Sequence, residues 1–173
     1  MSPFSAEHLS ELVVSEANRE SARALSSERM EALVPASFAN GQTLLTRSGR
    51  QAIGVALSTL GLGGDHEVLI VTTSGGPYVS SCVTDEIELV CRWSRTRSPR
   101  TAALFVIHEF GYPAPLAAEL EALPVPLIVD AAYGLGIPSE ALLCQRADFL
   151  IYSLSKSFPC PAGGVLVSKQ HRA

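Results

Sequence analysis

The sequence predicts an α/β domain built on a doubly wound, mostly parallel sheet. Three observations predict it: short unbroken apolar runs, helix-patterned stretches between them, and polar clusters where the runs end. A strand of a parallel sheet is covered on both faces, so it reads as a continuous apolar run rather than an alternation. E-V-L-I-V at 67–71, A-A-L-F-V-I at 102–107, P-L-I-V at 126–129, D-F-L-I-Y at 148–152 and G-V-L-V at 164–167 have that form.

Composition agrees. With 173 residues, the chain is of single-domain size, able to bury roughly two thirds of its unfolded surface. Apolar residues make up 47% and charged residues 17%, with a mean hydropathy of +0.24, which argues against a disordered chain. No apolar run approaches the ~18–20 residues of a membrane span. The opening M-S-P-F-S-A-E-H shows no secretory pattern. A net charge of −4 without a basic block argues against nucleic acid as a partner. Cys82, Cys91, Cys144 and Cys160 are widely spaced, with no C-x-x-C. They read as reduced thiols of a cytoplasmic protein, with no metal site.

In chain order, residues 1–34 are predicted to form an N-terminal helical segment. Leu9, Leu12, Val13, Ala17, Ala24, Leu25 and Leu33 recur at steps suited to one helix face until Pro35 stops the run. The body of the domain occupies 35–173. A loop and a short strand lead to a helix over 51–60, ended by Gly61, Gly63 and Gly64. After the strand at 67–71, a helix is predicted to open within 77–83 and a strand to run over 87–93. The strand at 102–107 is followed by a short amphipathic helix over 115–122, and the remaining strands follow. No G-x-G-x-x-G loop follows the first strand, which disfavours a dinucleotide site.

Ligands of such sheets gather at the carboxyl ends of the strands, and four polar clusters are candidates. Ser48, Gly49 and Arg50 precede a helix, where exposed N–H groups suit a phosphate and a plain N-cap would look the same. His108 opens H-E-F-G after a buried strand, as a proton carrier or as a structural histidine. Asp130 opens D-A-A-Y-G, as a helix cap or as an acid awaiting a cation. Lys156 lies in Y-S-L-S-K-S-F-P ahead of a Gly pair, as a covalent or ion-paired amine or as a surface lysine.

A phosphate-binding helix start, an Asp for a ring nitrogen and a Lys for a Schiff base are the parts a pyridoxal phosphate (PLP) enzyme needs. The order S-G-R at 48–50, G-D-H-E-V-L at 64–69, H-E-F-G at 108–111, D-A-A-Y at 130–133 and S-L-S-K at 153–156 resembles fold-type-I PLP enzymes. Within them it looks most like the DegT/DnrJ/StrS-type sugar aminotransferases, over residues 40 to 168. The resemblance implies the large domain of that fold, without the small C-terminal domain. It makes Lys156 the Schiff-base lysine and later proton shuttle, and Asp130 the partner of the pyridine nitrogen. Tyr133 stands where sugar aminotransferases usually carry Gln, in the D-x-x-Y pattern of the aspartate-aminotransferase branch, and is assigned to the phenolic oxygen. Ser153, Gly49 and Arg50, with Ser48, are assigned to the phosphate; Tyr78 falls two residues from the ring-stacking aromatic, and His108 is counted with the cofactor-binding residues.

The activity so implied is transfer of an amino group from an amino acid to a keto-sugar, nucleotide-linked sugars included, or a similar carbonyl acceptor. A homodimer is implied as well, because the family's active site draws residues from a second subunit. Family members are roughly twice as long, so the chain is expected to transaminate poorly alone. Two further readings stand beside it: a PLP-dependent lyase or dehydratase, a branch in which His replaces the lysine, and a non-catalytic remnant of the fold.

Overall fold

A computed structural model of the chain describes residues 41–135, 137, 143 and 145–169; the helical segment predicted over 1–34 lies outside them. Seven strands form one sheet: β1 (Gln42–Thr46), β2 (Glu67–Thr72), β3 (Arg92–Ser94), β4 (Thr101–Ile107), β5 (Leu127–Asp130), β6 (Phe149–Ser153) and β7 (Gly164–Ser168). Their order across the sheet is β1-β7-β6-β5-β4-β2-β3. From β3 to β6 all neighbours are parallel, whereas β7 runs antiparallel to both β6 and β1. The predicted α/β class and mostly parallel sheet are therefore observed.

The alternation within each apolar run sorts its side chains between two cores. Leu104 and Val106 of β4, Leu127 and Val129 of β5, and Leu150 of β6 point to one face, where Leu116, Leu120 and Leu123 cover them. Phe105, Ile128 and Ile151 point to the other. There they meet Ala52, Ile53, Ala56 and Leu57 of α1 (Gly49–Ser58), and Val83 and Ile87 of α2 (Ser81–Glu88). Both faces being covered is the reason these strands carry almost no polar residue before their last position.

The strand predicted over 87–93 is a correction. Residues 81–88 are helical, and only Arg92–Ser94 are extended. Val83 and Ile87 stand four residues apart, one helical turn, and bury their side chains together with α1. A short apolar stretch fits either period, and packing chose the helix. The helix predicted over 115–122 shortens to α3 (Ala118–Glu121), one turn between Pro115 and Pro124. A second short turn, α4 (Leu154–Ser157), follows β6 directly. Among the described residues no helix is long and apolar enough to cross a membrane.

Candidate active site

The sheet topology gathers one edge. β2, β4, β5 and β6 run parallel and end there, at Thr72, Ile107, Asp130 and Ser153. The antiparallel β7 begins there, with Gly164 paired to Ser153 on one side and to Thr46 on the other. From Thr46 the chain turns through Ser48 into α1. These segments enclose a cavity of about 470 Å³. Every residue assigned to the site from sequence lines it: Ser48, Gly49, Arg50 and Tyr78; His108 and Asp130; Tyr133, Ser153 and Lys156.

Asp130 closes β5 and is only 9% exposed. Its Oδ1 accepts a hydrogen bond from the Ala132 backbone N–H at 2.9 Å. Burial raises its pKa from 3.8 to about 6, against the opposing pull of that hydrogen bond and of the Lys156 charge. His108, buried beside it, donates its backbone N–H to the Asp130 carbonyl at 3.0 Å. Its ring Nδ1 accepts from the Ala114 N–H at 2.9 Å, so the neutral ring carries its proton on Nε2.

Lys156 stands exposed on α4. Its Nζ lies 5.1 Å from the centroid of the Tyr133 ring, within cation–π range. Tyr133 in turn packs its ring 5.9 Å from that of Phe110. The sequence offered Lys156 as a covalent or ion-paired amine or as a surface lysine, and the structure puts it at a cavity wall against an aromatic face.

At the start of α1, Ser48 caps the helix, its Oγ accepting the Gln51 N–H at 3.2 Å. Gly49 is buried against β6; a Cβ there would stand 3.2 Å from the Ser153 Cβ. Ser153 Oγ lies 3.3 Å from Ser155 Oγ. The Arg50 guanidinium is engaged by α2, with Asp85 at 2.7 Å and Glu86 at 2.8 Å. Tyr78 is 74% exposed at the cavity mouth, in the segment leading to α2.

Other lining residues went unnoticed in the sequence. Thr72, at the buried end of β2, accepts from the Arg95 guanidinium at 3.0 Å; the strand-end rule could have found it. Glu109 accepts the Ser74 N–H at 2.6 Å and so ties the loop after β4 to the loop after β2. Phe110 adopts a left-handed backbone, φ 53°, which no local motif announced. Cys82 also lines the cavity, and Cys82, Cys91 and Cys160 are free thiols. Among the described residues no cluster of three or more His, Cys, Asp or Glu is arranged to hold a metal.

A mixed sheet with this strand order and a cavity at its carboxyl edge is a fold this chain shares with solved aminotransferase structures. The aminotransferase TlmJ from Streptoalloteichus hindustanus is similar to this chain with a TM-score of 0.63 at 18% identity, covering 90% of this chain and 51% of its own. 3-Amino-5-hydroxybenzoic acid synthase is similar with a TM-score of 0.63 at 18% identity, covering 91% and 49%. NtdA from Bacillus subtilis, solved with bound cofactor PMP, is similar with a TM-score of 0.63 at 15% identity, covering 91% and 43%. The chain thus spans about half the length of these proteins or somewhat less. No protein-family model and no curated protein sequence matches it.

Proposed function

We propose that this chain binds pyridoxal phosphate in the cavity and acts as an aminotransferase, moving an amino group from an amino acid to a keto-sugar or similar carbonyl acceptor. The observation that carries the reading is the meeting of Lys156, Asp130 and the start of α1 on one cavity, in a fold shared with NtdA, whose solved structure holds PMP.

The cavity's own features fit the cofactor. Its volume is within the range of small-molecule sites. The Asp130 carboxyl, its pKa raised by burial to about 6, would gain a charge-assisted hydrogen bond from a protonated ring nitrogen. At Gly49 a side chain would crowd Ser153, and its absence leaves the backbone approachable. The N–H groups and dipole of the first turn of α1 there favour a phosphate.

When bound, the cofactor supplies an aldehyde that reacts with amines and a ring that withdraws electrons. The remaining work falls to this chain. Asp130 holds a proton on the ring nitrogen, and Tyr133 serves the phenolic oxygen. Ser48, Gly49, the Arg50 backbone and Ser153 would receive the phosphate, and Tyr78 would be the aromatic side chain for the ring. His108 is held rigid beside Asp130 by its two hydrogen bonds. Lys156 is the amine that holds the cofactor and, when free, moves the donor's α-proton.

Borohydride reduction of the PLP-loaded chain followed by peptide mapping tests the reading. Label is expected on Lys156; label on Lys169, or on no lysine, overturns it. Glutamate added to the unreduced, loaded chain is expected to bleach its yellow colour.

A further inference from the structure

Backbone meets backbone where β7 starts. A Cβ built on Gly164 would stand 2.4 Å from the Ser48 carbonyl carbon, 2.5 Å from its oxygen and 2.6 Å from the Gly49 nitrogen. No flexible side chain stands in the way there, only the peptide that opens α1. Gly164 is not among the glycines with positive φ, so space demands glycine at this position and backbone conformation does not. The residue before it completes the junction. Gly163 donates its N–H to the Arg47 carbonyl at 2.8 Å and accepts from the Leu154 N–H at 2.9 Å. One glycine pair therefore spaces the start of α1 from the segment that carries Ser153 and Lys156. The Ser48 carbonyl also accepts the first hydrogen bond of α1, from Ala52 N–H at 3.1 Å. Moving that peptide therefore disturbs the first helical turn.

We propose that Gly164 is a positioning residue: by letting the Ser48–Gly49 peptide lie directly on the start of β7, it sets the distance between the two cavity walls that grip the phosphate end of the cofactor. This rests on the reading that the cavity takes pyridoxal phosphate. Gly164 itself touches no ligand; it acts through the Ser48–Gly49 peptide. An added methyl group displaces that peptide and spoils its fit to a phosphate, while Asp130 and Tyr133 lie on other segments.

The test compares pyridoxal phosphate with pyridoxal, which lacks the phosphate, by absorbance titration of the 173-residue chain. The wild type is expected to prefer the phosphate form by more than about tenfold, and Gly164→Ala to reduce that preference to about threefold or less, with pyridoxal affinity little changed. Leu127→Ala, a core change at the far end of β5, serves as the control for general destabilisation and is expected to keep the wild-type ratio. Should Gly164→Ala not accumulate as folded protein, Thr46→Val removes the hydroxyl that donates to the Ser48 carbonyl at 2.9 Å, loosening the same peptide from outside the cavity lining, and is expected to lower the ratio in the same direction. A folded variant that keeps the wild-type ratio, or a control that loses it equally, overturns the inference. A wild-type ratio near one removes the phosphate-binding reading itself, and the inference with it.

Discussion

Asp130 shows at the residue scale how burial becomes a pH dependence. Its pKa stands at 3.8 ordinarily and about 6 in the folded chain. Between those values the folded chain keeps a proton that the unfolded chain has released. The Asp130 contribution to stability is therefore fully present below about pH 4, falls as pH rises toward about 6, and is lost above. Asp130→Asn has no such proton to lose. In urea denaturation across this window the variant's midpoint should fall less than the wild type's, leaving it more stable at pH 7 by on the order of 1–3 kcal/mol. Parallel pH profiles for the two proteins would contradict the burial effect. Phe110 supplies a second residue-scale prediction. Its side chain is 76% exposed, where substitution normally changes little. Its left-handed backbone reverses that expectation for a β-branched residue. Phe110→Val should lose about 1–2 kcal/mol, whereas Phe110→Gly should be close to neutral, as thermal melts will show.

At the scale of elements, Arg146 joins the end of α3 to the strands it precedes. Its guanidinium donates to the carbonyls of Glu121, Leu123 and Val125 and reaches Asp148 at 3.3 Å. Asp148 in turn accepts the Leu127 N–H at 2.8 Å, at the start of β5. One planar fork thus fixes the route by which the chain enters the strand ending at Asp130. Arg146→Ala should lose roughly 2–3 kcal/mol in urea denaturation, and Arg146→Lys should recover little of it, because an ammonium cannot span four acceptors in a plane. The pairing of Arg50 with Asp85 and Glu86 works similarly between α1 and α2, and Gly54 leaves the room that Glu86 occupies. A side chain that reads from sequence as a phosphate ligand spends its guanidinium holding two helices together.

For the molecule as a whole, the two cores on either face of the sheet position the cavity edge. Phe105 lies in the middle of β4, fully buried against the α1 and α2 side. Phe105→Ala should remove about 3–5 kcal/mol of stability by denaturant titration. Leu44 and Leu45 on the edge strand β1, with Phe110 and Tyr112 near the cavity, are large apolar side chains left exposed. Such surface favours association, and with the homodimer implied by the family resemblance it leads to a concrete expectation. Sedimentation of the 18.3 kDa chain should report a dimer, and Leu45→Lys should weaken it. A monomer at every concentration would contradict the homodimer that the resemblance implies.

The strands and the site residues were legible in the sequence for one shared reason. A buried parallel strand must be apolar until it reaches the sheet edge, so a polar residue closing such a run marks that edge by itself. His108 and Asp130 were found in this way, Ser153 through the family resemblance, and all three line the cavity. Where an apolar run was short, local pattern could not choose. Val83, Ile87 and the residues up to Trp93 fit a strand or a helix, and burial against α1 decided between them. Contacts between segments far apart in the chain left no local trace at all: the carboxylates that engage Arg50 lie 35 and 36 residues away, and the peptide that excludes a side chain from Gly164 belongs to Ser48 and Gly49. Where an apolar run ends is a local property, so His108 and Asp130 could be placed at the carboxyl edge from the chain alone. Which residues face one another there follows from the order in which the strands lie side by side, and that order is set by packing between distant segments.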